Sequence, residues 1–443
     1  MTGTVNIAPA GDHALLIELD RTIAAAQLHG AAQQVRALEG VLACIVGHSS
    51  LYVVFREPFP IGRFRAFDLV GATFSRKGDE HRLAVSFRDE YAPDLSEFLT
   101  HARITRDEFL ARIRDLRLVV RYLGFRGGFA YLDGWPVEWA MPRRPTSRPV
   151  ARGSFGIAGG VAGFYPIDSP GGWNILGRTA EPLEYRFAAG DGILINPVGE
   201  LPRRELTRAQ TRVSVPHITG ISAPFMTRVR AANWANLERG IPVGGPFDIE
   251  AAEAANIAAG NAPGAELLEF AQIGPRITPD SDVMVAWYDA GGGTIHRLRA
   301  RETFDLGRIR NGVRGYLAIA AERGGAPLKT LRRTDRLVIR AMRGPHDIGL
   351  DEIECEVTPS LDRVGIRLRP LRKIDVKPPA DLPSIGMQFG SLQLHSDGSI
   401  VAMGPEHPVT GGYLQPMTVL WTERWKLAQL APGERVRFIA QSP

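Results

Sequence analysis

The stretch GSFGIAGGVAGFYPIDSPGGWNILGRT, residues 153–179, consists of short apolar runs separated by glycine, proline and polar residues. The surrounding residues 118–202 have the same texture and little helical spacing. Short strands between frequent turns are typical of all-β folds, and this pattern predicts a closed antiparallel barrel. The alternating run 81–87 indicates a further strand, so we expect the barrel to cover residues 81–202.

The first 80 residues have a different character. Residues 14–19, 41–46 and 51–55 predict strands, and residues 23–38 have the apolar spacing of a helix. This order suggests a small α+β domain over residues 1–80, in which a helix covers one face of a sheet.

Two short helices are predicted between the small domain and the glycine-rich region, within residues 94–116. Thr105 precedes Glu108 by three residues, which is the spacing of a capping box, in which each of two residues binds the other's backbone N–H. We therefore expect the second helix to begin at Thr105.

The second half of the chain repeats the β texture. Residues 203–215 are Arg-rich and polar without periodicity, and predict a linker. An Ala-rich helix is predicted over 247–260, followed by strands to the C-terminus. We expect residues 216–340 to form the first part of a β domain and residues 341–443 its second, barrel-bearing part. Two all-β halves of this size suggest related barrels.

Composition excludes several classes of protein. The length of 443 residues suggests two to four domains. The net charge of +5 is scattered and not concentrated in a basic stripe, which disfavours nucleic-acid binding. The two cysteines, Cys44 and Cys355, have no CxxC context, so neither a disulfide framework nor a zinc cluster is expected. No run of about 18 apolar residues or charged-then-apolar start is present, and we expect a cytoplasmic protein without membrane contact.

Specific motifs in the first half add a family resemblance. Residues 124–132, GFRGGFAYL, resemble the GF-x-PGF-x-YL motif of KipI-like proteins, and residues 153–179 match that family over a longer block. The start at Gly11-Asp12-His13 fits the same pattern. This resemblance covers roughly residues 5–200.

The second half resembles the KipA-like partner of the same family. Residues 240–248, GIPVGGPFD, resemble its G-x-P-x-SGAMD segment, and residues 410–413, TGGY, match a second motif. The chain is thus identified as a fused member of the allophanate-hydrolase/5-oxoprolinase-subunit family, which includes the carboxyltransferase part of urea carboxylase. The resemblance implies cyclophilin-like β-barrels, a cytoplasmic location and action on amides or lactams. Together with the element pattern, it predicts a mainly β fold with an α+β N-terminal domain.

Several polar positions depart from the family pattern. Residues 110–116 lack the family histidine, Gly127 replaces a proline and Gly244 replaces a serine. A TTVQD-like segment has the sequence TRVRA at 227–231, and the Asp-x-Gln-Thr before TGGY is replaced by EHPV at 406–409. Proton relays tolerate such losses poorly, so the pattern indicates a shared fold with changed or lost chemistry.

Candidate site residues of the first half lie on one turn. Gly171 and Gly172 permit positive φ and expose backbone N–H groups that can form an anion-binding nest, with Trp173 beside them. Arg178 is a candidate bidentate clamp for a carboxylate, and Asp168 is a candidate base or orienting group. The alternative is purely structural: a Gly-Gly turn, a core tryptophan and a surface ion pair.

The second half supplies three candidate acid–base groups. Asp248 precedes the predicted helix and is either an N-cap or a carboxylate at a pocket mouth. Glu406 and His407 are candidate proton-transfer groups. The alternative for His407 is an exposed loop histidine.

Candidate substrate-binding groups in the second half are arginines and a glycine turn. Arg363 and Arg367 hold anionic groups in one interpretation and pair with charges on a strand face in the other. The turn presents backbone donors to a developing oxyanion, or is simply a tight hairpin. Its residues are Thr410, Gly411, Gly412 and Tyr413.

Two classes of function stay open. The first is an amide- or lactam-directed hydrolase or a carboxyltransferase that binds a small anionic substrate between its two halves. The second is a catalytically degenerate binding or kinase-inhibitor-like regulatory protein, with a diverged biosynthetic enzyme as a further alternative.

The cofactor expectations follow from missing motifs. There is neither a P-loop nor a Rossmann fingerprint, and His217 and His346 lack metal-ligand spacing. We expect no metal and no intrinsic cofactor. ATP would act through a LamB/YcsF-like partner subunit, as the resemblance implies, and homo-oligomerisation is left open.

Overall fold

The structure is a computed structural model. It describes residues 5–58, 78–202, 217–309, 311–321, 326–331, 333, 335–376, 379 and 382–441. The predicted linker at 203–215 lies outside these residues.

The N-terminal segment forms a four-stranded antiparallel sheet in the order β1-β2-β4-β3. Its elements are β1 (Asn6–Pro9), β2 (Ala14–Glu18), α1 (Ala25–Arg36), β3 (Val41–Val46) and β4 (Ser50–Phe55). Every residue of β4 is buried, because α1 covers one face of the sheet and the second half of the chain covers the other. The prediction of one covered face was therefore incomplete. The continuous apolar run 51–55 is typical of a strand buried on both sides.

The first barrel contains seven strands, with two helices beside it. Its elements are β5 (Glu80–Ser86), α2 (Leu95–Ala102), α3 (Arg106–Asp115), β6 (Arg117–Gly124), β7 (Phe129–Asp133), β8 (Arg148–Val150), β9 (Ser154–Ala158), β10 (Val161–Phe164), β11 (Ser169–Gly171), β12 (Asn174–Arg178) and β13 (Gly192–Val198). The barrel closes in the order β10-β7-β6-β13-β5-β12-β9, while β8 and β11 form a separate ribbon. The predicted capping box is present, since Thr105 and Glu108 bind each other's backbone N–H.

The barrel is not fully antiparallel, which corrects the prediction. β5 and β13 run parallel, with Gly192 opposite Glu80 and Val198 opposite Ser86. The physical reason is the number of strands. Directions cannot alternate all the way around a closed ring of seven, so at least one neighbouring pair must be parallel.

Between the barrels, the described residues form two sheets and one α-helix. Its elements are β14 (Ile218–Ser222), β15 (Met226–Val229), α4 (Ile249–Ala259), β16 (Leu267–Ala271), β17 (Arg276–Pro279), β18 (Val283–Asp289), β19 (Gly292–Leu298), β20 (Phe304–Asp305) and β21 (Arg314–Ala321). The sheets have the orders β14-β17-β20 and β15-β16-β21-β18-β19. The alanines of α4 pack against the five-stranded sheet, where small side chains permit close approach.

A second closed barrel occupies the C-terminal segment. Its elements are β22 (Val338–Arg343), β23 (Glu352–Leu361), β24 (Gly365–Pro370), β25 (Ile385–Gly386), β26 (Ser391–Leu394), β27 (Ile400–Met403), β28 (Thr410–Gly411), β29 (Leu414–Val419), α5 (Arg424–Ala428) and β30 (Arg435–Gln441). The order is β22-β29-β26-β27-β24-β23-β30, with β22 and β30 parallel and a β25–β28 ribbon outside.

The two barrels have the same topology. If the seven barrel strands are numbered along the chain, both close in the cyclic order 1-6-4-5-3-2-7, with the parallel pair between the first and the last strand. Each barrel also carries its ribbon at the same two points of the chain, between strands 3 and 4 and between strands 5 and 6. The predictions of a mainly β fold, of cyclophilin-like barrels and of an α+β N-terminal domain are confirmed. None of the described helices is long and apolar enough to span a bilayer.

The halves meet at a glycine. A Cβ placed on Gly124, at the end of β6, would lie 1.7 Å from Oγ1 of Thr410 in β28. Gly240 follows the 3-10 helix Trp234–Arg239 with φ +67°, and its own Cβ would lie 2.8 Å from Leu123. The backbone of Gly124 thus packs directly on the Thr410 side chain, and that of Gly240 packs on Leu123, at approaches that leave no room for a Cβ.

This contact predicts that Gly124→Ala destabilises the protein. The added methyl group has no room beside Thr410, and overpacking of this kind costs about 1–3 kcal/mol. The free energy of unfolding, measured by chemical denaturation, should fall accordingly. Gly160→Ala is the matched control, since a Cβ at Gly160 meets nothing within 4 Å. Equal stability of the two variants would contradict the close contact.

Candidate functional site

A cavity of about 330 Å³ lies where the two halves meet. The first half contributes Phe125, Arg126 and Pro170. The second half contributes residues from the β23–β24 turn, the barrel strands and the β28 ribbon, among them Asp362, Arg367, Gln393, His395, Thr410 and Tyr413. The volume is at the lower end of the range of about 300–1,000 Å³ for small-molecule pockets, which indicates a small ligand.

The turn between β6 and β7 is the main contribution of the first half to the cavity wall. Phe125 has φ +57°, and Gly127 and Gly128 have φ values of +62° and +74°. Proline is locked near φ −65°, so the family proline cannot adopt the conformation that Gly127 has here. The substitution noted in the sequence therefore accompanies a different backbone path at the cavity.

The second half contributes a stacked ring pair and an arginine. The rings of His395 and Tyr413 are 4.3 Å apart and nearly parallel, at 14°. Arg367 donates from Nη1 to Ser399 Oγ at 2.8 Å and to Asp397 Oδ2 at 3.3 Å. Burial, followed by the charge of Arg367, lowers the pKa of His395, which favours the neutral imidazole beside this cation.

Arg363 has a different environment from Arg367. It donates from Nη1 to Glu269 Oε1 at 2.6 Å, from Nε to Glu406 Oε1 at 2.7 Å and from Nη2 to the Gly245 carbonyl at 2.6 Å. Glu269 is almost fully buried and also accepts from the Phe247 backbone N–H at 2.9 Å. Each nitrogen of the guanidinium thus has a protein partner. This geometry favours the charge-pairing interpretation of Arg363, and its role in substrate binding stays a prediction.

Asp248 lies at the start of α4, away from the cavity. Its Oδ1 accepts from the Ala251 backbone N–H at 3.1 Å, and its Oδ2 accepts from Arg333 Nη2 at 2.8 Å. Burial raises the pKa of this carboxyl to about 6, against the opposing effect of Arg333. Its observed position is that of the helix N-cap.

His407 is fully buried, unlike the exposed loop histidine of the sequence alternative. Its Nδ1 is 2.7 Å from the Pro408 carbonyl oxygen, which makes Nδ1 the donor and Nδ1–H the protonated position. Burial lowers the pKa of the imidazole to about 4, so it is neutral at physiological pH. The side chain does not line the cavity.

None of the candidate residues of the first barrel lines the cavity. Their neighbour Pro170, which was not a candidate, does line it. Asp168 accepts from the Arg152 backbone N–H at 2.8 Å, and Arg178 donates to the Arg152 carbonyl at 3.0 Å. Both therefore fix the same loop. A Cβ at Gly171 would lie 2.2 Å from the Tyr165 hydroxyl oxygen, so this glycine allows Tyr165 to pack on the turn.

Aromatic side chains fill the region around the Gly171-Gly172-Trp173 turn. The Trp173 ring is 5.2 Å from Phe129, 5.8 Å from Tyr131 and 6.4 Å from Tyr165. A Cβ at Gly172 would lie 2.9 Å from Nε of Arg143. In strand order this turn is equivalent to the Thr410–Tyr413 turn of the second barrel. The two related turns therefore differ, one packed with rings and the other beside an open cavity.

The structure brings only part of the predicted set together. Arg367, Thr410, Gly411 and Tyr413 line the cavity. The predicted residues that do not line it are Asp168, Gly171, Gly172, Trp173, Arg178, Asp248, Arg363, Glu406, His407 and Gly412.

Sequence reasoning missed Phe125, Arg126 and His395 as cavity residues. For two of these residues, the sequence contains a feature that sets the position apart. Arg126 occupies the variable position of GF-x-PGF. His395 follows Gln393 by two residues just beyond β26, which is the spacing of one strand face.

Metal binding has no support in the geometry. Within the described ranges, no group of three or more His, Cys, Asp and Glu side chains is arranged to hold a metal ion.

Comparisons with known families match both halves. The model for the carboxyltransferase domain, subdomain C and D, matches residues 5–186. The model for the carboxyltransferase domain, subdomain A and B, matches residues 239–347 and 326–440.

Curated relatives match the first half. The B subunit of 5-oxoprolinase from Bacillus subtilis (strain 168) is 31% identical over 202 residues, which cover 40% of this chain and 84% of that protein. The corresponding B subunit from Escherichia coli O157:H7 is 27% identical over 207 residues, covering 44% and 94%.

Solved structures match the whole chain. Two crystal structures of TTHA0988 superpose with TM-scores of 0.76 and 0.79 at 22% and 21% identity. They cover 99% and 97% of this chain, and 99% and 100% of TTHA0988. This likeness shows the fold over the full length.

The different environments of Arg363 and Arg367 predict different losses in the free energy of unfolding when each is replaced. Arg363→Met leaves Glu269 buried without its nearest partner, which should cost about 3–5 kcal/mol. Arg367→Met removes a half-exposed pair and should change stability by no more than about 1 kcal/mol. Urea denaturation of both variants measures the difference. A similar small loss in both would show that the Arg363 network does not stabilise the fold.

His407 predicts an acid-sensitive contribution to stability. Below pH 6.5 the unfolded chain protonates this imidazole, while the folded chain resists protonation until about pH 4. The contribution is therefore present above pH 6.5 and is lost as the pH falls toward 4, by about 3 kcal/mol in total. His407→Gln should flatten this part of the profile of unfolding free energy against pH.

The raised pKa of Asp248 acts with the opposite sign in part of the same window. It contributes stability at low pH that is lost as the pH rises through about 6. The readout is therefore the difference between wild-type and His407→Gln profiles, in which the Asp248 contribution cancels. Parallel profiles from pH 4 to 7 would refute the assignment of a buried neutral imidazole.

Proposed function

The chain belongs to the carboxyltransferase-domain family, with the C and D subdomains in its first half and the A and B subdomains in its second, and from this we propose that it binds a small anionic amide-type substrate between its two barrels. The observation that carries the proposal is the cavity itself. It is lined by the β6–β7 turn of one half and the Thr410–Tyr413 turn of the other, two segments that the family motifs include.

The groups around the cavity suit an anionic, planar substrate. Arg126 and Arg367 provide cations from the two halves, and the Tyr413 ring provides a flat apolar surface. Asp362 is held in a fixed orientation, since its Oδ1 accepts from the backbone N–H groups of Val364 at 2.8 Å and Gly365 at 3.1 Å. Arginine forks match carboxylate geometry, which favours a substrate with a carboxyl group.

The reaction class that we propose is hydrolysis of an amide or lactam, or transfer of a carboxyl group to an amide nitrogen. In either case a nitrogen or its attacking group must gain or lose a proton. Apart from the two arginines, the titratable side chains that line the cavity are Asp362, His395 and Tyr413. The four predicted acid–base residues, Asp168, Asp248, Glu406 and His407, lie outside the cavity wall.

This distribution favours chemistry shared with a second protein. We propose that a LamB/YcsF-like partner subunit supplies the missing acid–base groups and the ATP dependence, while this chain binds and orients the substrate. The proposal agrees with the names of the curated relatives, which describe each of them as one subunit of a 5-oxoprolinase.

A second candidate is a binding or regulatory protein of the kinase-inhibitor-like kind. Its support is that three predicted carboxylates already have structural partners: Asp168 binds a loop N–H, Asp248 binds Arg333 and Glu406 binds Arg363. A diverged biosynthetic enzyme with a different small substrate would use the same cavity and would retain a bound metabolite.

The enzymatic proposal predicts partner-dependent turnover of 5-oxoproline. Release of ADP and glutamate should be measured with ATP, with and without a LamB/YcsF-type subunit. We expect turnover only with the partner, and a decrease of at least about tenfold for Arg367→Met, since one charge-assisted hydrogen bond contributes that much. Gly160→Ala should behave as the wild type.

The outcomes separate the candidate functions. Absence of turnover under both conditions would count against 5-oxoproline hydrolysis. Mass spectrometry of small molecules that co-purify with the wild type but not with Arg367→Met would then support a different substrate. A stable complex with a kinase and no bound metabolite would support the regulatory alternative.

A further inference from the structure

Arg126 differs from the other arginines of the site in having a free guanidinium. It is exposed on the β6–β7 turn and lines the cavity of the opposite half. Among the described residues, none forms an ion pair or side-chain hydrogen bond with it. All three nitrogens of the Arg363 guanidinium donate hydrogen bonds, to Glu269, Glu406 and the Gly245 carbonyl. Nη1 of Arg367 donates to both Asp397 and Ser399.

The turn that carries Arg126 is held in place. Phe125 before it is half-buried at the cavity, and its ring meets that of Phe129 edge to face at 6.1 Å and 88°. The Phe129 backbone N–H donates to the Arg126 carbonyl at 3.1 Å, which closes the turn. A cation on a fixed turn loses little backbone freedom when a ligand binds.

Tyr413 offers a surface on the other side of the cavity. Tyr413 is 37% exposed, and its ring stacks on that of His395. The stack holds the ring in one orientation, and a planar amide can lie flat on the exposed face as another ring would. His395 thus acts as a positioning residue for Tyr413.

We propose that, when the cavity holds the carboxylated amide of the proposed function, Arg126 binds its carboxylate and Tyr413 stacks against its amide plane. The inference rests on the proposed function in that the ligand occupies this cavity. It adds the residue, Arg126, whose charge selects ligands that carry a carboxylate. Because Arg126 belongs to the first half and Tyr413 to the second, the ligand is recognised only where the two halves meet.

Pairs of ligands that differ only in the carboxylate distinguish the contact with Arg126 from the contact with Tyr413. 5-Oxoproline and 2-pyrrolidinone share a lactam ring, and only the first has a carboxylate. N-carbamoylglycine and methylurea form a second such pair. Dissociation constants should be measured by ligand-observed NMR or calorimetry on the full chain. We expect the wild type to bind each acid more tightly than its neutral analogue.

The variants should act differently on acids and neutral analogues. Arg126→Gln should weaken the acids about 10- to 100-fold and leave the analogues unchanged. Arg126→Lys, which keeps the charge without the fork, should be intermediate. Tyr413→Leu should weaken acids and neutral analogues alike. Arg114→Gln, an exposed arginine on α3 away from the cavity, is the control for loss of one charge.

Each result has one interpretation. Unchanged binding of the acids by Arg126→Gln overturns the proposal, and so does a wild type that binds neither acid at millimolar concentration. Binding that depends on Arg126 without any turnover supports this inference and contradicts only the enzymatic proposal. Turnover of 5-oxoproline whose KM is unaffected by Arg126→Gln supports the enzymatic proposal and refutes this inference.

Discussion

The contact between Gly124 and Thr410 is the constraint on which the site depends. It joins the end of a strand in the first barrel to the ribbon of the second, at a separation that leaves no space for a side chain. The β6–β7 turn follows directly from Gly124, so this contact places Phe125 and Arg126 against the cavity of the other half. A bulkier residue at position 124 would move the turn and the cavity wall together.

The charged residues of the second half divide into two groups by burial. Glu269 and Arg314 are buried and Arg363 is largely buried, and an unpaired charge in such surroundings is costly, so each of the three has an ionic partner. Arg126 and Arg367 lie at the cavity with unused hydrogen-bond donors, where water or a ligand satisfies them. The same residue type therefore stabilises the fold in one place and is available for recognition in another, and only solvent exposure distinguishes the two.

The two related barrels differ in the space beside one equivalent turn, which is filled by aromatic rings in the first barrel and open as the cavity in the second. Both barrels place a Gly-Gly-aromatic turn at the same point of their topology. In the first, the rings of Trp173, Tyr165 and Phe129 pack against the turn and occupy the space beside it. In the second, Tyr413 stacks on His395 and leaves a cavity, into which the first barrel inserts its own turn. The site is thus asymmetric although the scaffold is repeated.

The sequence by itself determined the β texture, the two barrels, the capping box at Thr105 and the family, because strand alternation, turn residues and caps are local properties of the chain. It also led to Arg367 and to the Thr410–Tyr413 turn. Tertiary structure alone decided that Glu406 and Arg363 pair with each other, that His407 is interior, and that Arg126 faces the opposite half. These depend on which distant side chain lies within hydrogen-bond distance and on how much water remains, and neither quantity is encoded in the spacing of residues along one segment.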